Sequence, residues 1–470
     1  MSDTIGKKSN IKILLLTNRD SDNVGDQVIE ACDISLLSAV MDNLFPKDHI
    51  GGKTKAKMKT KVKKMLGADN SSHDGTPSSR YEINSRAASI VTQAYLKKKD
   101  PALLETARKA VKKCDIVVFG GAPLFNYSYQ NFYERTAITL ELAEEYGKPV
   151  IFSAIGVEAY SEDSEKCQRL KKTLNFPCVK QITTRDDFDY LTAYKEKEDL
   201  VIDKVADPAV FTSTVFRNYI KKRKLGMKKK IGVFILRANG FVDNKVDFDK
   251  NSAAHMWKDL IAKLEEKGYD YELITSGHFG DEAFLDYLIR NYGIPEKKCI
   301  FNMNCPEQLI EKISKYDGVI SCRLHPSIIS FSLDVPGVGL VWNNKVRRFY
   351  ECIGYEDRII GVEDFNADCI MEKLELSMKK GVKKDKDYLY TVYRSLFDGL
   401  KRIILGEDDT TEPYTYEQLM DKIPAFMGTP DKEKELKLKR KFRRTYNTCN
   451  DRLDKNEKLQ KDIKELKAKK

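Results

Sequence analysis

Short β-branched runs alternate with helical periods twice along this chain, and that repetition limits the folds open to it more than any other feature. In the first pass "IKILLLT" (11–17) reads as a strand and "QVIEACDISLLSAVM" (27–41) as a helix. "DIVVFGG" (115–121), "PVIFSAIGV" (149–157), "KQITTRD" (180–186) and "VIDKVADPAVF" (201–211) read as further strands, with helices over 131–147, near 163–174 and near 187–195. The pattern restarts with "KIGVFILR" (230–237), "YDYELITSG" (269–277), "KKCIFNM" (297–303), "DGVISC" (317–322) and "GVGLVW" (337–342), again with helical periods between them. Near-continuous apolar strands separated by helices predict parallel sheets covered on both faces. The fold class is therefore α/β, with two Rossmann-like, doubly wound units at residues 1–216 and 230–355. The charged stretch 217–229 reads as the linker, 356–430 as accessory helices and 431–470 as a basic helical tail.

Two such units turn the carboxyl ends of their strands toward a shared cleft, the layout of GT-B-type transferases. A chain of 470 residues is too long for one hydrophobic core, which agrees with this division. The net charge of +11 does not describe the body. Residues 431–470 hold 16 Lys/Arg against 8 Asp/Glu, and 51–66, inside a polar insertion at about 48–85, hold seven lysines and no acid. What remains is mildly acidic, so a groove for a polyanion such as nucleic acid is not expected. The two basic segments could touch an anionic membrane face or stay solvated. Leu459, Ile463 and Leu466 in the tail hint at a partner face over too few heptads for a coiled coil, so an oligomer stays open. No apolar run approaches the length of a membrane span. The opening residues read as a first strand and not a signal peptide. Ten scattered cysteines without a C-x-x-C pair signal neither a disulfide framework nor a metal site, and point to a reducing cytoplasm.

Candidate chemistry gathers at strand ends. In "DGVISCRLHPSII" the strand stops near Ser321 and a helix is expected from Pro326, leaving Arg323 and His325 in the turn between. Helix-start amides favour an anion there. Arg323 offers a planar cationic fork, and His325 a proton near neutral pH. Either residue alone would serve as well as a buried ion-pair partner or a helix cap. Asn23, Gly25 and Asp26 in "NVGDQ" open the first helix; Asp26 could cap it or orient a hydroxyl. Gly120 and Gly121 allow close backbone approach to a ligand. His278, with Asp281, stands at another strand end, with helix capping as the plain alternative. Arg185 with Asp186 reads more simply as a loop tie. Arg237 ends "IGVFILR" and Lys345 follows "GVGLVW", so Arg237, Arg323, His325 and Lys345 form one local cluster suited to a small, multiply anionic ligand.

Taken in order, "NVGDQ", "FGGAPLF", "AIGVEAY", "TTRDDFDYL", "VADPAVF", "ILR" and "CRLHPSIISFSLDVPGVGLVWNNKV" resemble the polysaccharide pyruvyl transferase family over about residues 11–355. The resemblance implies a GT-B-like fold and transfer of the pyruvyl group of phosphoenolpyruvate, a co-substrate and not a bound cofactor, onto two hydroxyls of a sugar as a ketal. It implies that Arg237, Arg323, Leu324 and His325 line the phosphoenolpyruvate site, with Lys345 where the family usually has a lysine. The acceptor would be a cell-surface glycan or its lipid-linked precursor, and the enzyme cytoplasmic or peripheral at the inner membrane face. "GGAP" replaces a more glycine-rich turn, and Asn344 replaces an aspartate common before that lysine. His325 and Arg323 are the expected catalytic residues, with Asp26 orienting the acceptor. Two rivals share the fold: a glycosyltransferase using a nucleotide sugar, and a non-catalytic scaffold. The first commonly grips a ribose with an acidic residue that is not evident after "RLHPSIIS", and the second does not require Arg237, Arg323 and His325 together.

Overall fold

The computed structural model describes residues 5–46, 80–122, 124–127, 131–221, 223, 227–237 and 247–468, so the lysine run at 51–66 lies outside the described residues. Two six-stranded sheets, parallel in every pairing, carry the fold. The first contains β1 (Ile11–Thr17), β2 (Tyr81–Ala87), β3 (Ile116–Gly120), β4 (Val150–Ile155), β5 (Val179–Thr184) and β6 (Val201–Lys204), in the order β2-β1-β3-β4-β5-β6. The second contains β7 (Lys230–Phe234), β8 (Asp270–Ile274), β9 (Cys299–Ile300), β10 (Gly318–Ser321), β11 (Gly337–Leu340) and β12 (Ile359–Ile360), in the order β12-β11-β10-β7-β8-β9. Read from β7, that is the doubly wound order 3-2-1-4-5-6.

Strands β3 and β4 are buried at every residue, as double-faced parallel strands must be. One strand was not expected. "YEINSRA", at the end of the supposed insertion, forms β2 and pairs with all seven residues of β1. Its inward positions Tyr81, Ile83 and Ser85 alternate with less buried ones, the period-two pattern of an edge strand, which its polar composition obscures.

The helices that bear on the site are α1 (Val24–Leu44), α2 (Phe279–Tyr292), α3 (Leu324–Ser332), α4 (Asn344–Cys352), α5 (Lys386–Ile404) and α6 (Asp431–Ala468). Helix α1 is buried on all sides, at 19 of its 21 residues. Its core is shared with β1 and β3, with α3 and with α5, so it is the spine between the two sheets. Helix α5 returns to the first sheet, where Gln181 donates to the Ser395 carbonyl at 2.8 Å and Arg402 donates to Gln181 at 2.6 Å.

The tail is not uniformly peripheral. The first part of α6 docks across both halves: Arg19 donates to Glu433 at 3.0 Å and Lys437 to Gln27 at 2.8 Å. Lys441 donates to Glu282 at 2.7 Å, and Arg444 pairs with Asp22 at 2.9 Å. Part of the basic charge expected to face outward is thus spent on the body. Leu459, Ile463 and Leu466 lie on the exposed remainder. Among the described residues no helix is long and apolar enough to cross a membrane.

Candidate functional site

Chain order reverses between β1 and β3 in the first sheet and between β7 and β10 in the second. Ligands of open α/β sheets bind outside the strand carboxyl ends at such reversals. Here the two reversals meet. The Val24 amide at the start of α1 donates to the Ser276 carbonyl after β8 at 2.7 Å. Gly277 follows with φ +96°, and a Cβ there would meet the Met303 carbonyl oxygen at 2.3 Å and that of Asp22 at 2.7 Å. At Gly25 a Cβ would lie 2.3 Å from both Cβ and Nδ1 of His325. Gly25 therefore serves the close approach of α1 to the imidazole.

Helix α3 starts at Leu324, two residues before the expected Pro326. Proline is tolerated at the third helical position because that N–H has no partner within the helix. His325 consequently sits inside the first turn, 8% exposed, and not in the preceding loop. Burial, followed by the positive charges of Arg185, Lys345 and Arg323, holds its pKa well below the ordinary histidine value, so the ring is neutral. Asn23 decides where its one proton resides. The Asn23 side-chain carbonyl caps α1 by accepting from the Gly25 amide at 3.2 Å, which leaves its NH2 facing His325 Nδ1 at 3.3 Å. A donor opposite Nδ1 makes that nitrogen the acceptor, so the hydrogen is on Nε2. Nε2 is buried with no hydrogen-bond partner, 3.9 Å from Asp26 Oδ1. Burial raises the Asp26 pKa to about 6 against the opposing pull of Ser21, Arg185, Lys345 and Asn18. Asn18 donates to the other Asp26 oxygen at 3.0 Å.

Arg323 is the N-cap residue of α3. Its Nε and Nη2 both donate to Asp281 Oδ2, at 3.0 and 2.6 Å, and its guanidinium lies 5.7 Å from the Trp342 ring centroid. Asp281 is fully buried, and its other oxygen accepts the Arg237 amide at 2.8 Å. One carboxylate from the first turn of α2 thus aligns the ends of β7 and β10. His278 caps α2, its Nδ1 accepting from Gly280 at 3.2 Å. Its pKa is lowered, first by burial and then by Arg323 and Arg237 against Asp281. Lys345, at the start of α4, pairs with Glu158 across the cleft, and Arg348 pairs with Asp187.

These contacts correct several sequence expectations. The expected cationic cluster is largely compensated, since Arg323 and Lys345 have carboxylate partners and His325 is neutral. Asn23 is engaged by a cap and an imidazole, and His278 by a cap. The space at Gly120 and Gly121 is taken by α1: a Cβ on Gly120 would lie 2.3 Å from Asp33 Oδ2, and one on Gly121 2.0 Å from Ile29 Cγ2. Those glycines serve helix–strand packing. Leu324 is partly buried and lines a cavity with Arg185, Asp186 and Lys345. Pairing of Asp281 with Arg323 was not legible from sequence, because the two are 42 positions apart on different strands' loops. Only its place beside His278 at a strand end hinted at it.

Two parallel sheets meeting at their reversal points define a GT-B-like α/β fold. A solved structure of a putative UDP-N-acetylglucosamine 2-epimerase from Listeria monocytogenes shares it, with TM-score 0.52 and 10% identity over 86% of this chain and 100% of that one. UDP-GlcNAc 2-epimerase from Methanocaldococcus jannaschii gives TM-score 0.47 and 13% identity over 82% and 98% of the two chains. A glycosyltransferase from Rickettsia africae gives 0.43 and 13% over 88% and 97%. At 10% identity the likeness to the Listeria structure is one of fold. No curated protein matches the sequence. The family model for polysaccharide pyruvyl transferase does match, over residues 43–344, and the chain belongs to that family of transferases. The matched stretch includes Gly120, Gly121, Arg237, His278, Arg323, Leu324 and His325; Asn23, Gly25 and Asp26 precede it, and Lys345 follows it.

Proposed function

We propose that the chain moves the pyruvyl group of phosphoenolpyruvate onto two hydroxyls of a sugar in a polysaccharide or its lipid-linked precursor. The observation that carries this reading is the unspent Nε2–H of a neutral His325, set beside Arg323 at the start of α3. The amides of the α3 first turn suit a phosphate or carboxylate, and Arg323 adds only its remaining Nη N–H groups, because Asp281 occupies its Nε–Nη2 edge. Arg237 joins them through the shared Asp281. Fixed donors at the departing oxygen stabilise the charge that develops there without reorganising.

The step balances without water. C3 of the enol gains one proton and becomes methyl, while C2 gains two C–O bonds and loses its bond to the phosphate oxygen. The two sugar hydroxyls release two protons, one matched by the proton C3 gains and one by the proton on the departing phosphate. The neutral His325 keeps its Nε2 proton and donates a hydrogen bond with it to the departing phosphate oxygen, and Asp26, with a pKa of about 6, is suited to exchange a proton near neutral pH.

Phosphate release from phosphoenolpyruvate with candidate glycans tests the reading. His325→Ala should lower turnover at least about 100-fold with little change in Tm, and Arg323→Ala should lower it as much with a reduced Tm, because the buried Asp281 carboxylate loses its partner. Near-normal rates in both variants would overturn it. Titration calorimetry with phosphoenolpyruvate and, separately, with UDP-N-acetylglucosamine decides against the nucleotide-sugar alternative if only the first ligand binds.

A further inference from the structure

Helix α6 (Asp431–Ala468) has two unlike faces. The body grips it by the polar one, through Lys437, Lys441 and Arg444. Phe442 and Tyr446 point the other way, 48% and 62% exposed, with ring centroids 6.3 Å apart. From Cys449 to Lys467 every residue is exposed, so about 30 Å of helix stands clear of both sheets. On that stretch Leu453, Leu459, Ile463 and Leu466 are each at least half exposed, and no described residue of the body covers them.

The charges around this stripe select its partner. At about 100° per residue, Phe442, Tyr446, Leu453, Leu459, Ile463 and Leu466 fall within about 80° of one line along the helix. Arg452, Lys464 and Lys467 share that side, whereas Asp451, Asp454, Glu457, Asp462 and Glu465 all lie at least about 100° from the line. The outward face is thus apolar and cationic, with its acids turned away. Such a face suits a bilayer bearing anionic headgroups: its apolar side chains reach the acyl boundary and its basic ones the phosphates. It suits a second copy poorly. Arg452, Lys464 and Lys467 would meet like charges, and a heptad seam begun by Tyr446, Cys449 and Leu453 runs next into Asn456 and Gln460. A nucleic acid would engage the cations and leave the leucines in water. No described helix is apolar enough to cross a membrane, so α6 would lie along its surface.

We propose that the outward face of α6 is a docking surface for an anionic phospholipid bilayer, on which the helix lies in the plane of the headgroups. The gripped end of the same helix is tied to both halves, by Gln27 and Asp22 on one side and Glu282 on the other. A bilayer that takes the free end therefore holds the whole body and not a loose tail. The proposal does not depend on the pyruvyl-transfer reading.

The test is co-sedimentation of the full chain with phosphatidylcholine vesicles, with and without about one-third phosphatidylglycerol. The wild type should partition at least about tenfold more strongly onto the anionic vesicles. Leu459→Ser, Ile463→Ser and Leu466→Ser combined should lower that partition at least about tenfold with an unchanged Tm, because all three side chains are exposed. Arg452→Glu with Lys464→Glu should lower it as much. Leu459→Trp should shift its emission to the blue on anionic vesicles and be quenched by brominated lipid. Binding that survives the serine substitutions would mean that charge alone holds the protein, and overturns the proposal, as does Leu459→Trp emission that vesicles leave unchanged. A wild type that is dimeric without lipid, beside a monomeric serine variant, overturns it in favour of a second copy. The serine variant should keep wild-type phosphate release from phosphoenolpyruvate in the absence of lipid, so this proposal and the pyruvyl-transfer reading fail separately.

Discussion

The two sheets present similar topology and opposite chemistry to one another. At the first reversal point stand Asn23, Asp26 and, beneath them, the buried Asp33; at the second stand Arg237, Arg323, His325 and His278. Glycine at a strand end also means different things on the two sides of α1. Gly120 and Gly121 let α1 settle onto its own sheet, whereas Gly25 lets it touch the imidazole of the other half. The lesson is that the site is assembled by one helix, whose body is core and whose first turn is machinery.

Adding one methyl group at each place separates these roles. Gly25→Ala drives a Cβ into the His325 ring, and we expect kcat to fall about 100-fold or more through a displacement near 1 Å. Gly120→Ala meets the Asp33 carboxylate and should cost about 1–3 kcal/mol of stability, read by denaturant unfolding, with kcat per folded molecule within about twofold of wild type. Equal loss of kcat in both would erase the distinction.

A subtler change keeps the cap and removes only the control of the imidazole. Ser is a good N-cap but too short to reach His325, so Asn23→Ser should leave stability within about 1 kcal/mol. We expect kcat to drop about tenfold as the Nδ1–H tautomer becomes populated. Nitrogen-15 spectra of the His325 ring read that change directly, and an unaltered Nε2–H ring in the variant would show that Asn23 does not set it.

The remaining effect is a slope. The folded protein keeps the Asp26 proton up to about pH 6, while an unfolded aspartate releases it near 4. Unfolding releases a proton between those values, so the contribution of Asp26 falls as pH rises through the window and is flat above it. The span corresponds to a few kcal/mol, on the order of 3. Asp26→Asn should remove that share of the pH dependence of stability. An unfolding profile from pH 4 to 7 that is the same in both proteins would mean that Asp26 is not held protonated.

Much of this was written in the chain. Alternation of apolar runs and helical periods gave both sheets, and the turn "CRLHP" marked the second reversal point, because local periodicity and helix-start chemistry need no distant partner. Strand β2 escaped because an edge strand with one polar side looks like a loop. What only the tertiary structure decided is charge and tautomer. The sequence shows Arg323, Lys345 and His325 as three cations; the fold gives the first two carboxylate partners and buries the third neutral, through Asp281, Glu158 and Asn23. Those partners are separated by tens to hundreds of residues. A desolvated group takes its protonation state from what lies within a few ångströms in space, and chain distance carries no record of that.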